Sequence, residues 1–348
     1  MAGVGQGLVS KRAIGDGLLA IGKGAVVLLA FQLLISLSPL LLLPALARAP
    51  PAGEWDISNF LIYYGQDRAS DIARFDLAIL SPLMDEAILS DIRGAGTLIV
   101  GYLSLTTVRD WEPWASDVED GWVVGEWEEW GELIINACEP GWRDLLLEEA
   151  IPFLMERGFQ GLFLDNIDMA EEFPWMADAL VELVADIRER WPSLFLVQNR
   201  GFCVADRTAP LINAFLFEDF GTFYNFTSGR YEKLSAEELS WLRERASELV
   251  ELRAEYGLVV LALAYADPSD PEMMEEYMSY VNSLATEYGF ISYVADIDLT
   301  YINLAYARPG EAEAPALLDK DLLLLILATV IVISAVSSVA WLFLKRRR

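Results

Sequence analysis

Eight short, nearly unbroken apolar runs recur between residues 59 and 296, with helical patterns interposed. They are NFLIYYG at 59, FDLAILS at 75, TLIVGYLS at 97, GLFLDN at 161, LFLVQN at 194, INAFLFED at 212, LVVLALAY at 258 and FISYVAD at 290. Helical patterns lie around 141–156, 175–190, 236–256 and 271–287, with shorter ones around 66–73 and 84–93. Strands this apolar must be covered on both faces, which is the situation of a parallel sheet flanked by helices. Eight such strands over ~240 residues predict an α/β chain closed into a (β/α)₈ TIM barrel. An open doubly wound sheet is the alternative, but no glycine-rich phosphate loop follows the first strand.

The barrel, placed at 59–306, sits between linkers at 48–58 and 307–321. Outside these are two apolar stretches, 25–47 and 322–344, each long enough for a helix to cross a bilayer. A basic leader, 1–24, with Lys11, Arg12 and Lys23 precedes the first, and a basic tail, 345–348, follows the second. Positive flanks stay in the cytoplasm, so the sequence predicts an extracytoplasmic barrel held at the cell membrane. The first stretch reads as a membrane anchor or as a signal peptide cut near Ala45-Leu46-Ala47.

Charge narrows the partners. With Asp16, Asp321 and eight basic flanking residues set aside, residues 50–320 hold 51 acidic and 17 basic residues, a net charge of −34. Nucleic acid is excluded as a partner for such a domain, while a cationic ligand is attracted. Solubility in a salty medium explains the same charge equally well. Histidine is absent, so neither a histidine-based triad nor a histidine metal site can form. No metal-binding spacing is present and no cofactor is expected. Cys138 and Cys203 are too few for a disulfide framework; a single bridge and two buried free thiols both fit.

In a barrel of this kind the functional groups stand at the carboxyl ends of the strands. The candidates there are Tyr63 and Tyr64 after the first strand, Tyr102 in the third, and Asp165, Asn166 and Asp168 after the fourth. Gln198 and Asn199 end the fifth, Glu218 and Asp219 the sixth, and Tyr265 and Asp267 the seventh. Asp165 and Glu218 stand out because each directly caps an apolar run. Two carboxylates flanking a glycosidic bond suffice for its hydrolysis, one as acid and the other as nucleophile or base. Six of the eleven tryptophans, Trp111, Trp114, Trp122, Trp127, Trp130 and Trp142, crowd the acidic insertion after the third strand. Exposed indoles there would stack on sugar rings; packing of the insertion onto the barrel rim accounts for them as readily.

The segment GFQGLFLDNID at 158–168 resembles the fourth-strand motif of the endo-α-1,4-polygalactosaminidase family, glycoside hydrolase family 114. The resemblance extends over residues 59 to about 300 through FDLAILS, GYLSL, NACEPGWRDLLLEEAIPFLMERGF, LVQNRG and FLFEDF. It implies a barrel hydrolase that cuts galactosamine polymers, with its acidic pair on Asp165 and Glu218. It further implies Asp165 as nucleophile and Glu218 as general acid/base. Asn166 and Asp168 would orient Asp165 or bind sugar, and Tyr63, Tyr64, Tyr102, Gln198, Asn199, Tyr265 and Asp267 would line the cleft. One departure is Leu105-Thr106-Thr107-Val108, where the family commonly carries a Gly-Glu-Ala-Glu-like stretch. That loop is expected to line the cleft, so the departure bears on the substrate. A non-catalytic glycan-binding surface scaffold is the alternative function, and a different glycan substrate on the cell's own surface is a third.

Overall fold

The computed structural model describes residues 55–128 and 130–309. The apolar stretches 25–47 and 322–344 lie outside the described residues, and among the described residues no helix is long and apolar enough to cross a membrane.

All eight runs form strands: β1 Phe60–Tyr63, β2 Leu77–Leu80, β3 Leu98–Ser104, β4 Gly161–Asp165, β5 Phe195–Asn199, β6 Ala214–Phe217, β7 Val259–Tyr265 and β8 Ile291–Ala295. They lie in chain order in one sheet, each parallel to the next. The sheet curls until β8 stands beside β1, where the Phe60 and Tyr293 rings are 5.6 Å apart. Tyr64 N donates to Leu299 O at 2.7 Å across the same seam. The result is a nearly closed TIM barrel. β1, β2 and β6 are buried along their whole length, as near-continuous apolar runs require.

The helices depart from expectation in one instructive place. The pattern at 141–156 breaks into Pro140–Leu145, a π-helical turn at Leu146–Ala150 and Ile151–Glu156. Pro152 has no N–H to continue the ladder, and a wider turn before it relieves the clash. The long helix Ala236–Tyr256 starts with a capping box between Ser235 and Glu238 and stops at Gly257, whose φ is 76°.

Two extensions escape the apolar pattern. Thr107–Val108, Val123–Trp127 and Glu132–Ile135 form a small antiparallel sheet in the insertion after β3. A hairpin, Thr222–Asn225 with Arg230–Lys233, follows β6. Within the insertion the expected exposed indoles divide. Trp142 is fully buried, with Nε1 donating to Leu105 O at 2.9 Å, and Trp114 is buried against Phe153. These two hold the insertion on the barrel, whereas Trp111 is 41% exposed.

Both described chain ends meet on the face opposite the mouth. Asp76, just before β2, accepts hydrogen bonds from Ser58 N, Ser58 Oγ and Asn59 N, at 2.9, 2.7 and 3.2 Å. Its other oxygen lies 3.4 Å from the Arg308 guanidinium. Arg308 also donates to the carbonyls of Ala73, Arg74 and Phe75. Cys138 and Cys203 are both free and exposed, so they neither pair nor serve as core thiols.

Candidate active site

Three neighbouring strands end in the same way. Asp165 closes β4 and Asn166 follows with φ 58°; Asn199 closes β5 and Arg200 follows with φ 51°; Glu218 follows β6 and Asp219 has φ 58°. Left-handed backbone costs a non-glycine residue roughly 1–3 kcal/mol, least for Asn and Asp, so surrounding contacts must hold it. Asn166 is held by Nδ2, which donates to Ser104 Oγ at 3.0 Å and Thr107 Oγ1 at 2.8 Å, while its carbonyl accepts from Thr106 Oγ1 at 2.7 Å. Arg200 is held by ion pairs to Asp219 at 3.3 Å and Asp168 at 3.5 Å.

The strand ends bring Asp165, Asn199, Glu218 and Tyr265 together. Asn199 Nδ2 donates to Asp165 Oδ1 and to Glu218 Oε2, each at 2.8 Å. Those two oxygens therefore lie at most twice 2.8 Å, or 5.6 Å, from each other. The Tyr265 hydroxyl donates to the other Glu218 oxygen. Register explains the meeting. Leu164 pairs with Gln198 and Asn199 with Leu216, so Asp165 is level with Asn199, and Glu218 lies one side-chain repeat above.

Burial dominates the electrostatics. It pushes the Asp165 carboxyl up to about 7, helped by the Glu218 charge and opposed by the hydrogen bonds from Asn199 and the Asn166 backbone. Asp168 rises to about 6 by burial, with Arg200 pulling it down. Asp219 rises to about 7 through burial and the neighbouring Glu218. The phenols of Tyr64, Tyr102 and Tyr265 are pushed well above their usual 10, first by burial and then by Asp165 or Glu218. They are hydrogen-bond donors at any physiological pH. Tyr64 and Tyr102 pack edge to face, 5.6 Å apart.

Other expected site residues are used differently. The Asn166 side chain is buried and both its amide hydrogens are spent on Ser104 and Thr107. Gln198 is fully buried, its Nε2 donating to the carbonyls of Arg200 and Gly201 at 2.8 and 3.4 Å, which shapes the turn after β5. Tyr63 turns to Asp67, and burial with that contact raises its phenol to about 12. Asp267 accepts from Ser269 N and Oγ at 2.8 and 2.7 Å, capping its own turn. The structure brings neither Tyr63 nor Asp267 to the pair. Leu105, Thr106, Thr107 and Val108, expected to line the cleft, are all buried. The reason is that Thr107–Val108 pairs into the insertion sheet and the threonines serve Asn166.

Sequence reasoning named Asp219 beside Glu218 but missed the other charged neighbours. Arg200 and Asp219 join the cluster because each directly follows a strand-end residue, a signal present in QNR and FED. Arg109 and Glu132, paired at 2.6 Å, carry no such signal, because only the folding of the insertion sheet brings them toward Tyr64. Glu112 beside them is buried, and its carboxyl is pushed up to about 8 mainly for that reason.

Among the described residues no cluster of acidic or cysteine side chains is arranged to hold a metal ion. No curated protein matches the chain. Among solved structures, the chain is similar to the glycoside hydrolase domain of PelA from Pseudomonas aeruginosa, with 24% identity and a TM-score of 0.62. That likeness covers 71% of this chain and 97% of that one. It is also similar to Aspergillus fumigatus Ega3, solved in complex with galactosamine, with 13% identity, a TM-score of 0.55, and coverage of 72% and 94%. At these identities the likeness speaks for the barrel alone. The sequence model of glycoside-hydrolase family GH114 matches residues 44–310, most of the chain, and this glycoside hydrolase belongs to that family.

Proposed function

We propose that the protein hydrolyses an amino-sugar polymer of the galactosamine type with retention of configuration, using Asp165 and Glu218. The observation that carries this reading is the shared amide: both carboxylates accept from Asn199 Nδ2, within 5.6 Å of each other. Retaining glycosidases space their carboxyls about 5–5.5 Å apart, and inverting ones 6.5–9.5 Å. Glu218 would give its proton to the glycosidic oxygen while Asp165 attacks the anomeric carbon, breaking the bond and forming a glycosyl ester. Glu218 would then take a proton from water, which attacks the anomeric carbon, breaks its bond to Asp165 and frees that carboxylate. Tyr265 keeps Glu218 in place through both steps.

Charge supports the polymer class. Asp165, Asp168, Glu218 and Asp219 surround the site, with Arg200 interleaved among them. Burial favours a protonated Asp165 in the empty site. An ammonium group on the bound sugar favours the ionised form that attack requires. Ega3, a structural neighbour, was solved with galactosamine bound. The apolar stretches 25–47 and 322–344 would tether the barrel to the membrane from its outer side. The clasp at Asp76 agrees with a tether, because it sends both chain ends away from the mouth. The glycan-binding scaffold drew its support from Leu105–Val108, and those side chains are buried.

The test is cleavage of de-acetylated galactosamine polymer by residues 50–320, alone and as Asp165→Asn and Glu218→Gln. Azide added to Asp165→Ala and Glu218→Ala assigns the roles. The nucleophile variant should yield a glycosyl azide of inverted configuration, and the acid/base variant a retained one. Cleavage by both neutral variants at the parent rate defeats the assignment.

A further inference from the structure

The insertion after β3 touches the hairpin after β6. Trp130, in the turn between Val123–Trp127 and Glu132–Ile135, meets Phe226 at the hairpin tip, with centroids 5.1 Å apart and planes at 76°. In the sheet, β4 and β5 stand between β3 and β6. A contact between elements rooted at β3 and β6 therefore passes over the strand ends that carry Asp165 and Asn199. On the inner side, the Arg109 guanidinium lies 5.7 Å from the Trp130 ring centroid and is paired with Glu132. Those two charges act on the Tyr64 phenol, as do Asp165 and Glu218, which puts the root of the bridge at the site itself. On the outer side, Phe226 meets Tyr224 and Tyr224 meets Tyr231, each at 5.0 Å. The Tyr231 hydroxyl accepts from Ile297 N at 3.2 Å, just beyond β8. A strip of aromatic rings thus runs over the mouth from the β3 side to the β8 side.

The bridge is slight where it crosses. Phe226 is 48% exposed, and at the tip it meets Trp130 edge to face. An internal segment of a polymer has no free end to thread beneath such a bridge, so the rings must separate to admit it. Once apart, each offers a flat apolar face of the kind that stacks on a sugar ring. We propose that Trp130 and Phe226 are the specificity-determining pair for polymer, a bridge that parts over an incoming sugar chain and grips the residues flanking the cleaved bond. The inference rests on the hydrolase reading above and concerns which chains are held, with the bond-breaking chemistry left to Asp165 and Glu218.

The test uses the full chain in detergent, carrying Glu218→Gln so that bound polymer survives, and reads its retardation in a gel cast with de-acetylated galactosamine polymer. Trp130→Ala and Phe226→Ala should each weaken retention at least tenfold. Phe226→Tyr should keep it within twofold, and Phe226→Leu, similar in bulk but without a ring, should behave like the alanine variant. Retention unaffected by the alanine variants overturns the proposal, as does a Glu218→Gln chain that the polymer does not retard. Cleavage of the same polymer by the unaltered chain is measured separately. Its failure counts against the hydrolase reading and leaves the retention result standing.

Discussion

Asp165 and Glu218, which are 53 positions apart in the chain, accept hydrogen bonds from one and the same amide nitrogen, Asn199 Nδ2, at 2.8 Å each. The amide sets the spacing of the two acids and favours the ionised form of Asp165. Replacing Asn199 with alanine should lower kcat roughly 100-fold, the usual cost of losing about 1 Å of positioning, with little change in the circular dichroism of the fold. Losing that donor also removes a force that lowers the Asp165 pKa. The acidic limb of the pH–rate profile should therefore move to higher pH. A profile that keeps its position would show that Asn199 does not act on Asp165.

The site is held at a cost to stability, and the cost depends on pH. Asp165 binds its proton at about 7 in the folded protein, against about 3.9 in an unfolded chain. Its contribution to stability is complete below about 3.9 and is lost as pH rises through 7. Asp165→Asn, which never ionises, should be more stable than the parent at pH 8 by on the order of 2 kcal/mol, and nearly equal to it at pH 4. Urea unfolding at the two pH values measures the difference. A gain as large at pH 4 as at pH 8 would contradict the linkage.

Asp76 ties the beginning of the barrel to its end. It accepts three hydrogen bonds from Ser58 and Asn59 and pairs with Arg308. Asp76→Ala leaves those donors without a partner, and should cost about 1–3 kcal/mol. Proteolysis should quicken near Ser58 and Arg308 while activity is retained, because the clasp lies opposite the mouth. Cleavage confined to other loops would show that the ends are held by other contacts.

Gly161 begins β4 where that strand runs hard against β5. A Cβ at this position would lie 2.2 Å from Phe195 O, a backbone atom that cannot swing aside. Gly161→Ala should destabilise the barrel by about 1–3 kcal/mol, the range for overpacking a core. Because Asp165 closes the same strand, activity should fall along with stability. The urea midpoint and kcat of the variant check both.

Much of the fold was legible because its information is local. Each strand is an apolar run that must be covered on both faces, and all eight runs from NFLIYYG to FISYVAD become barrel strands. The antiparallel sheet after β3 and the hairpin after β6 were not legible. Their strands, such as Val123–Trp127 and Arg230–Lys233, are half exposed and charged, without an apolar run to mark them. The burial of Leu105–Val108 was not legible either, since it comes from the pairing of Thr107 and Val108 with Ile134 and Leu133.

From its sequence alone, the chain determined where its strands lie and which two acids directly follow apolar runs, because short-range patterning specifies both. Tertiary structure alone decided that Asn199 would stand between those acids, that Arg200 would pair with Asp168 and Asp219, and that Trp130 would reach Phe226. Each of these depends on register between strands and on left-handed turns after them, and no local stretch of residues encodes how distant segments align.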